Sequence, residues 1–285
     1  MRFANIVGRA HLHLGEDRYV DIAEASGGAF PVEPSGCLDR WSEVSSWAAA
    51  FEETDADVRR YDAGMLGSPV PDPRQIFAVG LNYAKHVEEM GLAGSLSVPL
   101  TFAKFPSSIT GPVGELVLPA DTVDWEVELV AVVGRPAHKV SAEDAWGVLA
   151  GLALGQDYSE RVGQMAGTPP QFSIAKSYPG FAPLGPVIVS IDEFRDRDNI
   201  ALACTINGRQ VQSASTRQMI HSIPRIIEHI SSICPLRPGD LIFTGTPDGV
   251  GMGRTPTQYL KHGDVIVSSS PEIGELRQVA RQNAA

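Results

Sequence analysis

The sequence holds only three cysteines, Cys37, Cys204 and Cys234, far apart and without a Cys-x-x-Cys pair. Their scarcity and odd number exclude a disulfide framework and a zinc–thiolate site, and buried thiols are the expectation. Nowhere do about 18 apolar residues run without interruption, so no membrane-spanning helix is expected. Met1 to Arg9 has neither the long apolar run nor the cleavage pattern of a secretion signal, and a cytoplasmic protein is the expectation. Positive charge is also short. With 23 Lys+Arg against 34 Asp+Glu the net charge is −11, which argues against a nucleic-acid or anionic-membrane surface. An anionic substrate would need a local basic pocket. Gly-x-Ser-x-Gly is missing too, and with it the nucleophile elbow of a serine hydrolase.

What is present is 285 residues at 43% hydrophobic content, enough for a sizeable core in one large domain or two modest ones. Residues 1–70 read as a small N-terminal domain and linker, with short strands at Arg9 to Leu14 and Arg18 to Ile22 and a helical piece from Ser42 to Phe51. The alternating prolines of Gly67 to Pro73 favour an extended linker, and residues 71–285 form the second domain. His11 and His13 share strand spacing but have no nearby acid or thiol to complete a metal shell, so both are expected on the surface of a strand.

The second domain is organised around Asp124-Trp125-Glu126-Val127-Glu128-Leu129-Val130-Ala131-Val132-Val133-Gly134, read as a strand that begins half buried and runs into the core. Alternation puts Glu126 and Glu128 on one face, with origins roughly 6–7 Å apart. Two like charges beside a dense apolar run need a compensating cation or proton. A lone Glu-x-Glu is more simply a solvated acidic edge. A third acid, Asp157, stands where the apolar run Trp146 to Leu154, helix or strand, gives way to polar residues, and three hard oxygen donors suit Mg²⁺, Mn²⁺ or Ca²⁺.

Upstream, Ile76 to Gly80 reads as a buried strand leading to a short helix capped by Asn82 and stopped at Gly91. His86 and Glu89 share a face of that helix. Read alone, the spacing favours a Glu89–Lys85 pair with His86 in solvent; beside a metal site it suggests a dyad in which the carboxylate orients the imidazole to take a proton from water. Gly80, Gly91, Gly94 and Ser95-Leu96-Ser97 give the helix the composition of a lid that orders on substrate binding. Gly249-Val250-Gly251-Met252-Gly253 reads as a flexible hairpin connection, because Pro256 rules out the helix a phosphate loop needs. Asn207-Gly208 is a two-residue turn, and Ser222 to Ile233 a core helix with Pro224 in its first turn. His138, His229 and His262 are expected as surface or core side chains.

Taken in order, Gly-x-Asn-Tyr…His-x-x-Glu, Phe-x-Lys…Ser-Ser-Ile-x-Gly-Pro, Glu-x-Glu-Leu, Asp-x-x-x-Arg-x-x-Gln, Ala-Lys-Ser, Asn-Gly and Pro-Gly-Asp-Leu-Ile-Phe-Thr-Gly-Thr-Pro resemble the fumarylacetoacetate hydrolase superfamily across about residues 74 to 280. The resemblance implies an α+β, mostly β fold: a mixed β-roll catalytic domain with a small N-terminal domain, commonly as a homodimer. It implies Glu126, Glu128 and Asp157 as ligands of Mg²⁺ or Mn²⁺, and His86, Glu89 and Lys176 as catalytic groups. Tyr83, Arg161, Gln164 and Thr246 are the implied substrate-binding residues.

The residue types fit such chemistry independently. A β-diketo acid or 2-oxo acid chelates a divalent ion, which acts as a Lewis acid on the enolate, while Lys176 and Arg161 hold the carboxylate. The preferred reading is a C–C hydrolase of an acylpyruvate or fumarylpyruvate that releases pyruvate. Oxaloacetate decarboxylation, or isomerisation or tautomerisation of an unsaturated hydroxy-dioic acid, is the alternative. A non-catalytic metal-binding protein would have no need of the dyad.

Overall fold

The computed structural model describes residues 1–52, 58–92 and 97–282. The fold is mixed α+β and mostly β, built on a 12-stranded sheet and a 5-stranded sheet. At the centre of the large sheet lies Val127–Val133, buried at every position and apolar at all of them but Glu128. Its alternation sends Val127, Leu129, Ala131 and Val133 into one hydrophobic cluster and Val130 and Val132 into the other, on the opposite face. Strands covered on both sides read as continuous apolar runs, which is why this one does from Leu129 onward. The sequence suggests a strand starting at Asp124 and half buried there. Instead the strand begins at Val127, and Asp124, Trp125 and Glu126 are themselves buried, with strand pairing interrupted at Trp125 and Glu126 between this sheet and the short pair Val123–Asp124 with Ser159–Glu160.

One neighbour is the antiparallel strand Leu149–Gln156, with Val127 opposite Gln156 and Glu128 opposite Gly155. The apolar run from Trp146 thus resolves as a strand entered through a single 3₁₀ turn at Ala145–Val148. On the other side Leu241–Phe243 pairs antiparallel, and Ile76–Gly80 pairs parallel to that. The N-terminal residues join the same sheet: Arg2–Ile6 pairs with Ala182–Val189 and carries Arg9–Gly15, Arg18–Asp21 and Val58–Arg60 outward in turn. The helix expected over Ser42 to Phe51 spans Trp41–Ala50.

Two local readings are corrected. His11 is buried, 1% exposed, rather than on the surface, because it faces Asp21 across the hairpin and Tyr61 packs edge-on against its ring. His13, partly exposed, stacks on Tyr19. Asn82 does not cap the helix Ala84–Glu89. Tyr83 occupies the cap position, while the Asn82 amide donates to the carbonyls of His221 and Thr244 and accepts from the His221 N–H. The helix does stop at Gly91, whose positive φ of 70° lets its N–H reach Glu88 O and Leu92 N–H reach Val87 O.

Asn207 and Gly208 both have positive φ and join Ala201–Ile206 to Arg209–Ser215 by a tight turn, as their sequence implies. The core helix runs Ile223–Ile233 with Ile223, Ile226, Ile227 and Ile230 buried and Ile233 exposed. All three cysteines are free, Cys37 and Cys204 buried and Cys234 partly exposed. His138 and His262 are exposed and His229 intermediate. Among the described residues no helix is long and apolar enough to cross a membrane.

Candidate active site

The site forms where the central strands end together. Antiparallel pairing sets the end of Leu149–Gln156 against the start of Val127–Val133, and Asp157 N–H donates to Glu126 O at 2.9 Å. Glu126, Glu128 and Asp157 are all buried, with one carboxylate oxygen of each within 4.8 Å of the others. Two buried amides fix the backbone under them: Gln156 Oε1 accepts from Glu126 N–H and Gln212 Oε1 from Val127 N–H. The chain leaving Leu241–Phe243 donates Gly245 N–H to Glu128 Oε2 at 2.8 Å.

Cations surround the acids. Lys176, at the C-terminal end of the short helix Phe172–Ala175, places Nζ 2.7 Å from Glu126 Oε2 and 2.7 Å from Asp157 Oδ2. Lys104 Nζ lies 2.6 Å from Asp157 Oδ1 and donates to the carbonyls of Lys176 and Phe181. Arg161, at the start of a helix whose first N–H groups are capped by Glu160, is held at three points: Nε to Asp124 Oδ2 at 2.9 Å, one terminal nitrogen to Gln164 Oε1 at 2.8 Å, the other 2.7 Å from Glu126 Oε1.

These charges set the proton affinities. Burial alone would raise Glu126, but Lys176, Arg161 and His86 outweigh it and hold the carboxyl down at about 2. Glu128 goes the other way: burial, then the charges of Asp157 and Glu126, push it well above the ordinary carboxylate value. Burial draws Lys104 below the usual lysine value, whereas for Lys176 the attraction of Asp157 and Glu126 overcomes burial and raises it. Four carboxylates, counting Asp124, therefore face three cations, and Glu128 is the acid left favouring a proton. A divalent cation fits this donor set: hard oxygens, one of them undercompensated, converging within reach of one ion.

A cavity of about 120 Å³ opens onto the triad. Arg161, Gln164, Lys176 and Thr246 line it together with His86, and Met90, Phe102, Met165, Phe172 and Met252 form its apolar walls. His86 is buried, not solvent-facing: Nδ1 lies 2.7 Å from Glu89 Oε1, so the alternative Glu89–Lys85 pairing gives way to the dyad. Glu89 Oε2 accepts Gly249 N–H at 2.9 Å. The loop read as a flexible connection is therefore pinned, since Gly251 N–H and Met252 N–H also donate to the Asp124 carboxylate. Thr246 Oγ1 donates to Val127 O and accepts from Gln212. Tyr83 is buried but is not among the residues lining the cavity, and its hydroxyl has no hydrogen-bond partner among the described residues. Of the expected lid, Gly94, Ser95 and Leu96 lie outside the described residues.

Sequence reasoning assigned no role to Lys104, Asp124, Gln156 or Gln212. Asp124 stands two residues before Glu126 in the same alternation, and Lys104 is the lysine of Phe-x-Lys, so both left a signal. The two glutamines left none, because what they support is the backbone of Glu126 and Val127, reached by Gln156 from the paired strand and by Gln212 from the 5-stranded sheet.

Residues 75–281 match the Fumarylacetoacetate (FAA) hydrolase C-terminal family, and the chain belongs to that family. It is 39% identical over 209 residues to the mitochondrial oxaloacetate tautomerase of Rattus norvegicus, covering 73% of this chain and 66% of the relative. A Mycobacterium smegmatis structure provisionally named an HpcE protein superposes with a TM-score of 0.94 at 45% identity, over 100% of both chains. Maleylpyruvate hydrolase from Sphingobium sp. SYK-6, solved with manganese(II) and pyruvate, gives 0.81 at 29% identity, again over 100% of both.

Proposed function

We propose that this protein is a Mg²⁺- or Mn²⁺-dependent hydrolase that cleaves the carbon–carbon bond of a small acylpyruvate-type β-diketo acid and releases pyruvate. The observation that carries the reading is His86, buried and oriented by Glu89, in the same cavity as the Glu126–Glu128–Asp157 triad. An enzyme that only stabilises an enolate has no need of an oriented base; one that activates water, or that moves a proton between carbon and oxygen, does.

Glu126, Glu128 and Asp157 would hold the ion, which when bound supplies Lewis acidity toward the substrate's oxygens. Lys176 and Arg161 provide fixed positive charge for the substrate carboxylate, with Gln164 and Thr246 as polar contacts. With Nδ1–H committed to Glu89, the basic nitrogen of neutral His86 is Nε2. It takes a proton from water as the water oxygen adds to the distal carbonyl. The carbon–carbon bond then breaks, its electron pair passes to the enolate of pyruvate, and His86 returns the proton to that carbon. The apolar walls built from Phe102, Phe172 and the methionines keep bulk water from competing.

The decisive assay follows the ultraviolet enol absorbance of a small acylpyruvate with Mg²⁺ while pyruvate is quantified. Chelator-sensitive loss of the band with equal pyruvate formation is the expected result, and a stable band without pyruvate would refute hydrolysis. A second reading, oxaloacetate tautomerisation, is favoured by the 39% identity to the rat enzyme. In it His86 moves a proton between carbon and the enol oxygen without water addition.

A further inference from the structure

Glu89 uses both of its oxygens: Oε1 for His86 Nδ1 at 2.7 Å and Oε2 for Gly249 N–H at 2.9 Å. Two residues on, the same loop grips a second carboxylate. Asp124 Oδ1 accepts Gly251 N–H at 2.7 Å, and Oδ2 accepts Met252 N–H at 2.9 Å beside Arg161 Nε at 2.9 Å. The loop itself is anchored elsewhere: Gly249 O accepts from the Trp125 indole and from Arg254, and Gly251 O accepts from Gln258 N–H. A rigid run of backbone N–H groups thus stands behind both side chains that face the triad from this side of the cavity.

We infer that Gly249-Val250-Gly251-Met252-Gly253 is a positioning device, whose backbone N–H groups orient His86 through Glu89 and Arg161 through Asp124. Glycine at 253 follows from the same contact, since a Cβ there would stand 2.9 Å from Glu89 Cδ and 3.0 Å from Oε2. That neighbour is the mobile end of a side chain, so Gly253→Ala folds but displaces the carboxylate. At 251 the obstacle is backbone, with Gln258 O 1.9 Å from the added Cβ, and that substitution cannot serve as a test.

The inference rests on the proposed role of His86, yet its test needs no substrate. In Glu89→Gln the amide must choose which neighbour receives its oxygen. Gly249 N–H is a fixed donor, whereas neutral imidazole can offer either a donor or an acceptor at Nδ1. A loop that holds the side chain therefore takes the amide oxygen, turns the NH₂ toward His86 and converts the ring from the Nδ1–H to the Nε2–H tautomer. Proton–nitrogen NMR of the histidine rings, with His86→Ala identifying the signal and the pH set where the ring is neutral, reads this directly. Conversion to Nε2–H supports the device; retention of Nδ1–H overturns it.

Gly253→Ala gives a second arm. The Mg²⁺ dissociation constant measured by calorimetry should stay within twofold of the wild type, since the triad is untouched, while His86 becomes a mixture of tautomers. Turnover on whichever oxo acid the enzyme accepts should fall roughly 10- to 100-fold, with no further fall when the change is made in Glu89→Ala. Equal fractional losses in both backgrounds with an unchanged tautomer would overturn the device. Failure of the acylpyruvate assay alone would remove the hydrolase reading and leave the NMR result to decide the loop.

Discussion

Lys104 Nζ lies 2.6 Å from Asp157 Oδ1, with both side chains shut away from solvent. Burial disfavours the lysine's charge, so Asp157 and the carbonyls of Lys176 and Phe181 are what keep it there. Removing one partner of such a pair leaves the other uncompensated. Lys104→Met is expected to lower stability by about 3–5 kcal/mol, read as the urea unfolding midpoint. A loss near zero would mean that Asp157 is balanced by Lys176 alone.

The triad predicts a metal dependence that is local. Glu126→Gln and Asp157→Asn keep side-chain size but remove a charged donor, and each should abolish stoichiometric Mn²⁺ binding in calorimetry and with it activity. Because Lys176 bridges the same two carboxylates, each variant also leaves that ammonium with one anion where it had two. Full metal occupancy in either variant would contradict the assignment of the triad.

His86→Ala separates chemistry from binding. The ring's hydrogen bond is to Glu89 and the three carboxylate donors stay in place, so Mg²⁺ binding should be retained while turnover falls by about 10²–10⁴-fold, the usual share of a general base. Unchanged turnover would place the base elsewhere.

The N-terminal hairpin should make stability pH-dependent. Burial lowers the pKa of His11 below its ordinary 6.5, against smaller raising effects from Arg9 O and Asp21. The folded state therefore keeps the ring neutral where the unfolded chain takes up a proton. The stability it confers is complete above 6.5 and declines as pH falls through that value toward the lower folded one. His13, also lowered by burial, adds in the same sense. The urea midpoint should drop between about pH 7 and about pH 5, and His11→Gln should flatten that drop.

Much of this site was readable because its acids obey the period of a strand. Glu126 and Glu128 alternate with apolar residues, so spacing put them on one face, whereas Asp157 was only a third acid at the end of an apolar run until the pairing of the two strands brought it to them. In the short helix pitch made His86 and Glu89 neighbours but equally offered Lys85 to Glu89, and only the buried position of His86 decides between them. Periodicity is silent about partners supplied by distant backbone. Asn82 looked like a helix cap because its real partners, the carbonyls of His221 and Thr244, are 139 and 162 residues away. Glycines in the 249–253 loop suggested freedom, whereas their N–H groups are committed to Glu89 and Asp124. His11 looked exposed because nothing in its own strand announces Tyr61.

The central claim, cleavage by water, is tested most directly by carrying out the reaction in H₂¹⁸O with Mg²⁺ and an acylpyruvate, then weighing the released carboxylic acid by mass spectrometry. Hydrolysis predicts one ¹⁸O in the acid and pyruvate in equal amount, both lost in His86→Ala. Substrate recovered uncleaved, with neither labelled acid nor pyruvate released, would contradict hydrolysis.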